Sequence, residues 1–114
     1  MEKEEVIILE GYVNSVPRYE IIIDGALILG RVFTLAMDST RKATDGNCET
    51  VTSYIDVECR GSLMTFTYFD ECAIGRKLRV IGRLEQSVWV DSKGILAPHL
   101  VVIAKELSWK GENE

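Results

Sequence analysis

With 114 residues, 46% of them hydrophobic, the chain holds enough sequence for one domain around one core, and its composition does not suggest disorder. Thirteen basic residues against 18 acidic ones leave a net charge of −5. That balance argues against whole-surface attraction to nucleic acid or an anionic membrane and leaves only local basic patches for such a role. Three cysteines without a CxxC pair, and His99 as the only histidine, leave no zinc-type ligand set. No segment approaches the ~20 apolar residues of a membrane helix, and MEKEEVIILEG lacks the basic-then-apolar order of a signal peptide. A cytoplasmic protein with reduced thiols, no cofactor and no membrane contact is expected.

Residues 6–13, VIILEGYV, are apolar and β-branched and predict a buried strand that bends at Gly11. Pro17 stops its continuation. Over 20–29, EIIIDGALIL places Asp24-Gly25 between two apolar runs, the signature of a hairpin. Both faces of that hairpin are apolar, which favours a subunit interface. The next strand, GRVFTLAMDS over 30–39, puts Phe33, Leu35 and Met37 on one face, and the polar TRKATDGNCET over 40–50 reads as an extended hairpin loop.

Residues 52–61, TSYIDVECRG, alternate with period two. Ile55, Val57 and Cys59 form a core face, while Tyr54, Asp56, Glu58 and Arg60 form the other, with the two acids read as solvated charge. In 62–77 the alternation breaks: Leu63, Phe66 and Phe69 recur at helical spacing, Ser62 suits the start and Gly75 the end. Thr65, Thr67 and Tyr68 weaken the helical propensity of this stretch. A long strand follows over 77–91 with a bend at Gly82, then the turn DSKG over 91–94 and a closing strand over 96–107. The order predicts an all-β fold: a five-stranded OB-fold barrel with one helix between strands 3 and 4. Residues 1–109 form the single domain and 110–114 a short polar tail.

VIILEGYV, PRY, FTLAMDS, SYIDVECRGSL, GRKLRVIGRLEQSVWVDSKG and LVVIAKELSW, in this order and spacing, resemble the bacterial single-stranded DNA-binding proteins over roughly residues 5–109. The resemblance implies sequence-tolerant binding of single strands in replication, recombination or repair. It also implies a homotetramer or dimer with a two-fold contact near the first strand, and replication or repair proteins as partners. Of the family's four principal stacking positions, this chain holds Thr40, Tyr54, Arg60 and Trp89.

Stacking on Trp89 and Tyr54, with charge contacts from Arg60, Arg79, Arg83, Arg41, Lys42 and Lys93, is the expected site. Lys77, Arg79, Arg83 and Trp89 share one strand parity and interleave charge with an aromatic ring. Trp109 and His99 read as structural. No nucleophile, phosphate-cradling loop or metal cluster is legible, so an enzyme is not expected. The alternative is a diverged OB-fold subunit for protein interaction or oligomerisation, or a primosome or RNA-binding OB protein, with weak or no DNA binding.

Overall fold

The computed structural model describes residues 5–111. Residues 1–4 of the expected domain and 112–114 of the expected tail lie outside that range. The strands are β1 (Ile7–Val13), β2 (Arg18–Ile23), β3 (Leu27–Lys42), β4 (Cys48–Arg60), β5 (Lys77–Val90) and β6 (Leu96–Trp109). β1 and β2 are two halves of one barrel strand, interrupted at 14–17 where Pro17 has no N–H for a ladder.

Both halves close the same seam between β3 and β5. β1 pairs β5 over Ile7–Tyr12 but β3 only at Tyr12 and Val13, while β2 pairs β3 throughout and β5 at Ile21–Ile23. β3 and β4 form one long antiparallel hairpin, β4 meets β6 in parallel at Asp56–Glu58, and β6 returns along β5. The ring is the five-stranded OB barrel that the order of elements predicted.

Alternation decides what fills it. Val13, Phe33, Leu35, Val57, Cys59, Leu78, Val80, Val102 and Ala104 point inward and are buried. Burying side chains of Phe or Leu size contributes about 1.5–3 kcal/mol each. The opposite face of the β3–β4–β6 wall carries a smaller cluster, Ile22, Val32, Trp89, Val101 and Ile103, roofed by β2 and the far half of β5.

The register slips between Ile81 and Gly82, leaving Lys105 of β6 unopposed. A Cβ at Gly82 would run into the Ile103 carbonyl oxygen, so only glycine fits the bend.

The helical connection is there, but wound more tightly than the spacing suggested. It consists of two 3-10 segments, Gly61–Thr67 and Glu71–Ala73, rather than one continuous turn of α-helix after another. The threonine hydroxyls give a reason: Thr65 and Thr67 donate to the carbonyls three residues back, of Ser62 and Met64, and so compete with the regular ladder. The segment still closes one barrel end. Phe69 meets Phe33 edge-on at 5.4 Å between centroids, and Trp109 stacks on Phe66 at 5.6 Å. Among the described residues no helix is long and apolar enough to cross a membrane.

Candidate nucleic-acid interface

The face of β4 opposite the core carries Tyr54, Asp56, Glu58 and Arg60, as period two requires. Its residues have different fates because the sheet is roofed along only part of its length. Tyr54 is 63% exposed and borders a shallow depression with Thr34, Ile55, Asp56 and Leu100. Asp56 accepts from Thr34 Oγ1 at 2.9 Å and lies 3.8 Å from Arg18.

Glu58 departs from the expectation of solvated charge, with no exposed surface at all. The roof explains this, because β2 and β5 pair over the wall and bring two donors of β5 to its carboxyl group, beside Arg60 of β4 itself. Ser87 Oγ donates to Oε1 at 2.6 Å, Trp89 Nε1 to Oε1 at 2.8 Å, and Arg60 Nε to Oε2 at 2.7 Å. Arg60 also reaches Asp24 in the β2–β3 turn at 2.7 Å. Burial works against its charge, but the hydrogen bonds it donates to Asp24 and Glu58 together hold its pKa above the ordinary arginine value.

Parity placed Trp89 on the same face as Arg83, and the register agrees. What parity could not show is that the roof covers this half of the face. Trp89 is only 5% exposed, and His99 stacks on its ring at 3.8 Å with the planes 17° apart. Arg18 approaches the same ring at 5.5 Å.

The expected cations are spread out, and several are matched by acids. Arg41 pairs with Glu49 across the β3–β4 arm at 2.7 Å, and Arg83 pairs with Glu85 two residues along β5. Arg79 sits opposite Glu10 of β1, and its Nε is buried without a hydrogen-bond partner. Lys42 is exposed near the arm tip, and Lys93 is exposed in the turn that Asp91 caps by accepting from the backbone N–H of Lys93 and Ile95. Tyr54, Arg60, Arg83 and Trp89 thus share one sheet face, whereas Arg41, Lys42 and Lys93 stand on two projecting hairpins and Arg79 lies farther along β5, opposite Glu10 of β1.

Three solved structures share this architecture along nearly all of the chain. A small single-stranded DNA-binding protein from Streptomyces coelicolor superposes with a TM-score of 0.64 at 18% identity, covering 99% of this chain and 100% of that one. The Plasmodium falciparum SSB in complex with ssDNA gives 0.66 at 16% identity, covering 97% and 100%. A deletion mutant of the Thermus aquaticus single-stranded DNA binding protein gives 0.68 at 20% identity, covering 94% of this chain and 50% of that one. The chain has their OB fold. No family model and no curated protein matches its sequence.

Within this OB fold the sequence reading passed over a further cluster at the barrel end. Arg31, only 9% exposed, donates through Nη2 to the carbonyls of Pro17 at 3.3 Å and Thr67 at 3.2 Å. Its guanidinium lies 4.3 Å from the Tyr19 ring centre and 5.1 Å from that of Tyr68. The two hydroxyls are 3.4 Å apart. The hydroxyl contact with Tyr68 and then Arg31 lower the Tyr19 pKa, and the contact with Tyr19 raises that of Tyr68. The only sequence signal was an arginine at a core-parity position, two residues before Phe33.

Proposed function

We propose that this chain binds single-stranded DNA with little regard to sequence, in support of replication, recombination or repair. The carrying observation is the full-length structural match to a protein solved with ssDNA. Tyr54 supplies the open stacking ring, since any base presents a π-face. Trp89, anchored by Glu58 and covered by His99, lies on the same sheet face. Arg60 and Arg83 flank this surface, while Arg79, Arg41, Lys42 and Lys93 extend charge outward along β5 and the hairpins. The exposed ion pairs of Arg41 with Glu49 and of Arg83 with Glu85 are weak, about 0–1 kcal/mol each, so a phosphate can replace the carboxylate there at small cost.

Binding as a homo-oligomer, a dimer or tetramer, repeats this modest contact set and raises avidity. Ile21, Ile23, Leu27 and Leu29 lie opposite one another on one exposed face of the β2–β3 hairpin, with exposed Leu96 on the neighbouring hairpin. An apolar sheet face of this kind suits a second copy. Along residues 7–11, β1 pairs β5 but has no β3 partner, which leaves an edge for a two-fold contact.

Fluorescence anisotropy with labelled oligo-dT tests the reading. Binding should be detectable at low salt and fall steeply as salt rises, because phosphate contacts release counterions. No binding at low salt with micromolar protein would refute it. That result would favour a second reading, a diverged OB-fold interaction or oligomerisation subunit. The self-paired cations Arg41, Arg60 and Arg83 and the net charge of −5 are the observations in its favour.

A further inference from the structure

Arg31 is a buried cation without a carboxylate at ion-pair distance among the described residues, and its Nε has no hydrogen-bond partner. Burying an uncompensated charge is costly, and here two backbone carbonyls and two aromatic rings stand in for the missing anion. A cluster that served only to close the barrel end would bury its rings. These do the opposite: Tyr19 is 50% exposed and Tyr68 is 65% exposed. Each turns one side to Arg31 and leaves the rest to solvent, held in place by the cation and by the hydroxyl contact.

Beside them lies an open depression of about 440 Å³ lined by Arg31, Tyr68, Phe69, Asp70, Cys72, Ala73 and Arg76. Arg76 is itself seated on the Trp109 ring at 4.0 Å, and Asp70 is engaged in accepting from the Cys72 N–H. Fixed aromatic faces beside guanidinium groups match one nucleotide unit, a base with its phosphate.

We propose that Tyr19 and Tyr68, braced by Arg31, form a second stacking platform for single-stranded DNA, with Arg76 meeting the adjoining phosphate. The proposal rests on the single-strand-binding reading above and adds a site on the barrel end, away from Tyr54. A strand that reaches both places wraps from the β4 face around the end closed by the 3-10 segments.

The test is oligo-dT anisotropy at low salt on the native chain and on Tyr68→Ala, Tyr68→Phe and Tyr54→Ala. Circular dichroism and oligomer mass are measured in parallel. Loss of one stacked base should weaken binding by about 5- to 150-fold in Tyr68→Ala. Tyr68→Phe should bind within about twofold of the native chain, since it keeps the ring and loses only the hydroxyl. Arg76→Gln should lower the salt slope by about one. A 5-bromodeoxyuridine oligomer should crosslink to peptides containing Tyr19 or Tyr68.

If the native chain and all variants fail to bind, the platform falls together with the functional reading. If Tyr54→Ala weakens binding but Tyr68→Ala does not, the platform alone is overturned. Equal losses in Tyr68→Ala and Tyr68→Phe, or a loss accompanied by a changed oligomer mass, also overturn it. An unchanged salt slope in Arg76→Gln removes the phosphate contact.

Discussion

Glu58→Gln is the substitution whose outcome the structure constrains most tightly. The native carboxyl group accepts from Ser87 and Trp89 through Oε1 and from Arg60 through Oε2. Glutamine has one oxygen to offer. Turned toward Ser87 and Trp89, it sets its own NH2 against the Arg60 Nε–H, donor facing donor. The charge-assisted bond, about 1.5–3 kcal/mol, is lost, and a buried unsatisfied donor adds about 1 kcal/mol or more. Arg60 keeps Asp24, which limits the damage. A destabilisation of roughly 2–4 kcal/mol is expected, a large part of a typical domain's 5–15 kcal/mol. Urea unfolding followed by tryptophan fluorescence measures it as a fall in midpoint at unchanged m. Combining Glu58→Gln with Arg60→Met removes the facing donor and should restore part of the loss, giving a non-additive cycle. A Glu58→Gln chain within about 0.5 kcal/mol of native stability would refute the view that this carboxyl group ties the roof to the wall.

Tyr54→Ala removes the open ring of the β4 face and should weaken oligo-dT binding by about 1–3 kcal/mol without moving the unfolding midpoint; an unchanged Kd would take β4 out of the interface. Leu27→Lys with Leu29→Lys charges the exposed hairpin face and should lower the particle mass in light scattering, whereas an unchanged mass would acquit that face of a role in assembly. Burial, followed by the nearby Glu58 carboxylate, pushes the Cys59 thiol up to about 12 from its ordinary 9.0. A thiol reagent at pH 8 should therefore modify the exposed Cys48 and Cys72 and spare Cys59 until the chain unfolds. Because the unfolded thiol ionises near 9.0 and the folded one near about 12, unfolding releases a proton in that window, and Cys59 makes stability fall as pH rises through it. A flat stability profile across pH 9–12 would contradict this burial.

Period-two alternation and turn chemistry determined most of the fold by themselves. Phe33, Leu35, Val57, Cys59, Leu78 and Val80 were on core-parity positions and are buried, and Asp24-Gly25 and DSKG mark turns where Gly25 and Gly94 adopt positive φ. Such signals are legible because they depend on neighbours two to four residues away. Parity also named the face that holds Tyr54, Arg60, Arg83 and Trp89. It could not say which part of that face is covered, because the roof is made by β2 meeting β5, strands some 65 residues apart in sequence. That pairing buries Trp89 and turns Glu58 from expected solvated charge into a buried acceptor for Ser87 and Trp89 as well as its β4 neighbour Arg60. The Tyr19–Arg31–Tyr68 cluster was invisible for the same reason, since its members come from β2, β3 and the connection after β4. Sequence determined which side of each strand a residue occupies; only the closure of distant strands decided which of those sides meets solvent, and a charge or ring acts on a ligand only where it does.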